Sequence, residues 1–159
     1  MSIPTFKTIL YATDLGKKMR PAFRHAISIA QQYDAKIIML HVAEPLGATG
    51  QAVLGLYAPE RVEDFENKEL RDILDQMEVR LEQFSADELG DKADLVSSVI
   101  AVTGSPAEEI NKIADAREVD LIVMGSHTID SFGSSLLGST ARKLIHISHR
   151  PVLVVPVKK

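Results

Sequence analysis

Residues 120–144 read DLIVMGSHTIDSFGSSLLGSTARKL. The run Asp120–Met124 is apolar, rich in β-formers and short enough for a buried strand. It empties into a long stretch of Gly, Ser and Thr, and the chain returns through Gly138-Ser139-Thr140 into a helical pattern ending at about Ser148. Strand, loop and helix in that order make one half of a parallel β–α unit. Connections in such units usually span about 2–6 residues, and this one is longer. Two readings are open: a cradle for a phosphate, or a long turn.

The flanking sequence repeats the unit. Thr8–Ala12 (TILYA) reads as a buried strand ending at Thr13-Asp14. Met19, Ala22/Phe23, Ala26/Ile27 and Ala30 then recur at helical spacing, with Pro21 in the first turn where a missing N–H does no harm. Lys36–Val42 is a second strand. Residues 44–58 read as an irregular Gly-rich loop. Pro59-Glu60 is expected to open a helix whose stripe is Leu70, Ile73/Leu74, Met77, Leu81 and Phe84. Val96–Val102, less apolar, is expected near a sheet edge. Ser105-Pro106-Ala107-Glu108 has the form of a capping box opening a helix to about Arg117. Pro151–Val157 (PVLVVPV) is the last strand.

Strands alternating with helices of this length predict an α/β fold, a three-layer sandwich around a five-stranded parallel sheet, in a single domain over residues 1–159. Ligands of such sheets bind beyond the carboxyl ends of the strands, where the strand order reverses. Periodicity does not give the strand order; if the first strand sits in the middle beside the fourth, that crevice lies between Ala12-Thr13-Asp14 and the loop after Met124.

Composition narrows the function. The net charge of −4 argues against a general nucleic-acid binder, and the absence of cysteine excludes thiol chemistry and thiolate metal sites. The N-terminus lacks the form of a signal peptide, and no apolar stretch is long enough to span a bilayer, so the expectation is a cytoplasmic protein with no membrane partner. No phosphate-loop lysine motif and no G-x-S-x-G elbow is present. His146 and His149 lack an evident third ligand, which argues against zinc. His25 and His41 read as packing or surface groups, and His127 as a solvent-exposed loop residue, with contact to a phosphate the lesser alternative.

The residues around the crevice suit a nucleotide. A helix N-terminus carries unpaired N–H groups and partial positive charge. Gly138 permits close backbone approach, and Ser139 and Thr140 add hydroxyl donors. Gly125 would let the chain leave its strand beside a ligand, and Asp14 is an acceptor for a sugar hydroxyl or an adenine amine. The same residues also read as ordinary structure, with Ser139 and Asp14 capping helices and Gly125 making a turn. Arg142 and Lys143 either add positive field or face solvent.

The chain resembles the universal stress protein family over essentially its whole length. The resemblance rests on ILYATD, on LHV closing the second strand, on DLIVMGSH followed by LLGSTARKL, and on PVLVVPV. The family's nucleotide-binding branch carries Gly, two residues, Gly, nine residues, then Gly with Ser or Thr. Gly125 fits the first place and Gly138-Ser139 the last, with the nine-residue spacing intact, while Thr128 stands at the middle glycine. The resemblance implies ATP, with Mg²⁺ as a companion ion. Asp14 and the backbone of Val42 would contact adenine, beside Ala12 and Thr13. Met124 and Gly125 would meet the ribose and Gly138, Ser139 and Thr140 the phosphates; at the departure from the pattern, the Thr128 hydroxyl could itself donate to a phosphate oxygen.

It also implies a homodimer through the C-terminal strand Val152–Val157, an exposed apolar edge in which Pro156 limits the ladder. The expected role is regulatory or stress-responsive, with phosphate ordering residues 125–138 to change the surface offered to a protein partner. The alternatives are a homodimeric interaction module without nucleotide, and a slow ATPase.

Overall fold

The computed structural model describes residues 2–45, 56, 68, 70–127, 129–130 and 135–157. In chain order the elements are β1 (Thr8–Ala12), α1 (Arg20–Tyr33, entered through a 3₁₀ turn Lys17–Met19), β2 (Lys36–Ala43), α2 (Leu70–Leu89), β3 (Val96–Thr103) and α3 (Pro106–Ala116). β4 (Leu121–His127), β5 (Ile129–Asp130), β6 (Ser135–Leu136), α4 (Ser139–Ile147) and β7 (Val152–Val157) follow. Five strands form a parallel sheet in the order β3-β2-β1-β4-β7, and β5 pairs antiparallel with β6 in a separate ribbon.

The alternation of side chains along the strands makes the two outer layers. From β1, Ile9 and Tyr11 face α1 and α2, joining Ala22, Phe23, Ala26, Ala30, Leu81 and Leu89. Leu10 and Ala12 face the other way, with Ile110 and Ala114 of α3 and Ala141 and Leu144 of α4. Each large side chain so buried contributes about 1.5–3 kcal/mol. Phe23 stacks between β1 and α2, its ring centroid 5.0 Å from that of Tyr11 and 5.2 Å from that of Phe84. The helices divide between the faces because the winding direction reverses at β1/β4 while the crossover hand stays right-handed.

Several expectations need adjustment. Ser105 makes no side-chain cap, so the predicted capping box does not form. Glu108 instead reaches Lys143 Nζ at 2.9 Å, tying α3 to α4 and removing Lys143 as a source of free positive field. The predicted stripe of α2 is only half covered: Leu81 is buried, but Ile73 is 39% exposed. The predicted helix start at Pro59-Glu60 and most of the predicted 44–58 loop lie outside the described residues. β3 is an edge strand as expected. Its outward Ala101 N–H donates to Glu78 Oε1 of α2 at 3.1 Å, so that edge is partly stoppered.

His149 is held in the joint between α3 and β7. Its Nδ1 lies 2.8 Å from Asp115 Oδ2, and Arg150 Nε lies 3.3 Å from Oδ1. The His149 hydrogen bond, with Arg150 beside it, holds the Asp115 carboxyl below its usual range. Among the described residues, no three potential metal ligands come together.

Tyr11 gives a pH-dependent prediction. Its hydroxyl is buried and donates to the Met19 carbonyl at 3.2 Å. Burial pushes its pKa from 10.0 up to about 12. The folded state therefore holds a proton that the unfolded chain releases. The stabilisation is complete below pH 10 and is lost as the pH rises through about 12, a total of about 2–3 kcal/mol. Alkaline titration of tyrosinate absorbance should show a late ionisation coupled to unfolding. Tyr11→Phe should remove that late step.

Candidate functional site: a cleft at the strand-order reversal

The reversal between β1 and β4 opens a cleft of about 380 Å³ at the carboxyl ends of the strands, within the range of roughly 300–1,000 Å³ typical of small-molecule sites. One wall is the turn after β1. Thr13 N–H continues the ladder to Leu40 C=O at 2.9 Å, and Thr13 C=O accepts from His41 Nδ1 at 2.8 Å. A carbonyl cannot donate, so His41 carries its hydrogen on Nδ1. His41, read from sequence as a packing or surface group, therefore anchors this wall. Thr13 Oγ1 accepts the N–H of Leu15 and Asp14 Oδ1 that of Gly16, at 3.1 and 2.8 Å. Asp14 thus shapes the turn rather than capping α1, whose N-cap is Met19. Leu15 takes φ 68°, a left-handed conformation that costs a non-glycine residue about 1–2 kcal/mol.

The other wall comes from β4 and α4. β4 runs past its predicted end at Met124, with Gly125 opposite Val155 and His127 opposite Val157 of β7. Gly125 therefore does not mark the chain's exit from the strand. A Cβ there would collide with Met19 Sδ and lie 2.9 Å from Val157 Cγ2, so glycine suits the position because the 3₁₀ turn that leads into α1 packs close beneath it. α4 begins after Gly138, which serves as N-cap without any side-chain cap, so Ser139 does not cap its own helix. The first intrahelical bond is Arg142 N–H to Gly138 C=O at 2.9 Å. The N–H groups of Ser139, Thr140 and Ala141 are thus left without intrahelical acceptors at the positive end of the helix dipole.

Ala12, Thr13, Asp14, Val42, Met124, Gly125, Gly138, Ser139 and Thr140 all line this cleft, joined by Met19, Leu40, Glu44, Pro106, Ile110, Ser126 and Ala141. Thr128 lies outside the described residues, as do 131–134 of the loop, and His127 is described only in its backbone. Pro106 and Ile110 escaped sequence reasoning because α3 reaches the cleft only through its packing on the sheet. Glu44 and Ser126 carried a signal, since each lies within two residues of a predicted site position. Arg142 lies at the surface, with Nη2 3.5 Å from Leu137 C=O. Among the described residues, the lining carries two carboxylates, Asp14 and Glu44, and no basic side chain. Its positive character comes from the helix end.

A parallel α/β domain with a cleft at the reversal and a helix N-terminus aimed into it has a place suited to a small ligand. The model of the universal stress protein family matches residues 5–156, and the chain belongs to that family. It is 33% identical to Universal stress protein MJ0577 of Methanocaldococcus jannaschii over 158 residues, covering 96% of each chain. To Universal stress protein YxiE of Bacillus subtilis it is 28% identical over 94% of this chain and 99% of the relative. The solved structure of MJ0577 matches 98% of this chain and 99% of its own, with a TM-score of 0.68. A universal stress protein crystallised in complex with cAMP shares the fold at 20% identity, with a TM-score of 0.57 over 96% of this chain and 98% of its own. Among the described residues, no helix is long and apolar enough to cross a membrane.

Proposed function

We propose that the cleft binds an adenine nucleotide, ATP, and that the bound state serves regulation in a stress response. The observation that carries this reading is the convergence of two independent walls on one cleft. The β1 turn offers Asp14 and β2 the backbone of Val42 on one side, and α4 presents its N-terminus on the other. Adenine fits the first wall, with Ala12 and Thr13 beside it. Ribose fits against Met124 and Gly125, and the phosphates face Gly138, Ser139 and Thr140. The cAMP complex of a distant relative supports adenine as the base that this fold accommodates. With two carboxylates and no basic side chain among the described lining residues, a triphosphate bound here would be accompanied by Mg²⁺, which would offset the repulsion. Neither a phosphate-loop lysine motif nor a G-x-S-x-G elbow occurs in the sequence, and any hydrolysis is expected to be slow.

The same reading takes the protein as a homodimer through Val152–Val157, acting on a further protein partner and located in the cytoplasm. Pro151 C=O accepts from Ile122, so alternate residues of β7 turn their backbone to β4, and Val152, Val154 and Pro156 turn theirs outward. Pro156 thus lacks an N–H at an edge-facing position, as sheets tolerate. Native mass spectrometry of the purified protein tests both points in one experiment. The expected result is a dimer carrying about one ATP per chain. A protein that carries no nucleotide and shows no calorimetric heat with added ATP and Mg²⁺ would sink the nucleotide reading.

A further inference from the structure

Ser126 is one of two buried polar residues among those described, at 4% exposure, and it lines the cleft. Its strand explains its direction. At Gly125 the missing Cβ points toward Met19 and Ala22 of α1, so the next residue points to the opposite face, where α3 and α4 lie. There Ser126 Oγ accepts the N–H of Gly138 at 2.9 Å, across twelve positions of sequence. This bond takes one donor of the α4 N-terminus out of play and holds the remaining ones, on Ser139, Thr140 and Ala141, at the cleft. A hydroxyl that accepts in this way still has its own proton to place. Among the described residues, none accepts it.

We infer that Ser126 is a further ligand-binding residue, which fixes Gly138 through its oxygen and donates its hydroxyl proton to an anionic oxygen of the ligand in the cleft. This rests on the nucleotide reading and adds to it a side chain that stands beside Gly125 in the sequence but is not among the residues read there as touching the ligand. The chemistry is a relay in one direction: the Gly138 N–H polarises the hydroxyl, and the hydroxyl meets the phosphate. A buried donor to a charged oxygen is stronger than a neutral one and is preorganised here by the strand.

The experiment compares wild type, Ser126→Ala and Ser126→Thr by calorimetry with ATP and Mg²⁺ and, separately, with adenosine, which has the base and sugar but no phosphate. Thermal unfolding of each variant is recorded alongside. Ser126→Ala is expected to bind ATP about tenfold more weakly. It should keep its adenosine affinity, and Ser126→Thr, which retains the hydroxyl, should stay within about threefold of wild type for ATP. Equal loss of ATP and adenosine affinity in Ser126→Ala would make the residue purely structural and overturn the inference. So would unchanged ATP affinity in that variant. Wild-type protein that binds neither compound removes the nucleotide reading itself, a result distinct from both.

Discussion

Gly125→Val is expected to lower folding stability by about 3 kcal/mol, the largest stability change we predict for any single substitution. The effect does not come from conformational freedom at the glycine. It comes from the volume beside it: a Cβ meets Met19 Sδ, lies 2.9 Å from Val157 Cγ2 and 3.5 Å from Ala22 Cβ. Met19 is buried, and its carbonyl is held by the Tyr11 hydroxyl, so the backbone that carries the thioether has little room to retreat. Gly125→Ala should cost less, about 1–2 kcal/mol, because a flexible Met side chain absorbs part of one methyl group. The mechanism is checked by a double-mutant cycle. Met19→Ala should cost less in the Gly125→Ala background than in wild type, by about 1 kcal/mol or more. Additive costs in urea unfolding would show that the clash is not the cause. The thermal midpoint of Gly125→Val should fall by about 6–12 °C for a domain of this size.

Gly138→Asp is expected to weaken ATP binding by about 100-fold while leaving the fold intact. Gly138 takes φ −58° and ψ 154°, an N-cap conformation open to any residue, and Asp is among the preferred N-caps. Helix α4 should therefore be kept or slightly stabilised. The new carboxylate lies at the helix end proposed to face the phosphates, where two like charges about 4 Å apart repel by about 1–4 kcal/mol at effective dielectric constants of 80 to 20. Gly138→Ala adds no charge and should bind far better than Gly138→Asp, with a difference that shrinks as salt is raised. If Gly138→Asp binds ATP like wild type, the phosphates do not lie at α4. Adenosine, which has no phosphate charge, should bind the Asp variant nearly as well as wild type.

Much of the fold was legible because its signals are local and repeated. The apolar runs TILYA, KIIMLHV, DLIVM and PVLVV each announce a strand, and Pro21 and Pro106 fall within the first turns of α1 and α3. Ends were less legible. β4 runs to His127 because β7 pairs with it that far, a gain that the polar residues Ser126 and His127 do not advertise. Glu108 follows the same logic: its spacing from Ser105 suits a capping box, but Lys143 on α4 offers a charged partner.

By itself, the sequence determined the class of the fold and the family and singled out the segments 12–14 and 138–140; that they meet at one reversal of strand order took the sheet topology. Alternating buried runs and helical spacing are properties of the chain alone, and a right-handed parallel sheet leaves few ways to assemble them. Only the tertiary structure decided why Gly125 is glycine, that His41 anchors the Thr13 carbonyl, and that Ser126 reaches Gly138. Each of these depends on a contact between elements distant in sequence. Such contacts are set by how closely helix and sheet approach, a distance that no local pattern of residues encodes.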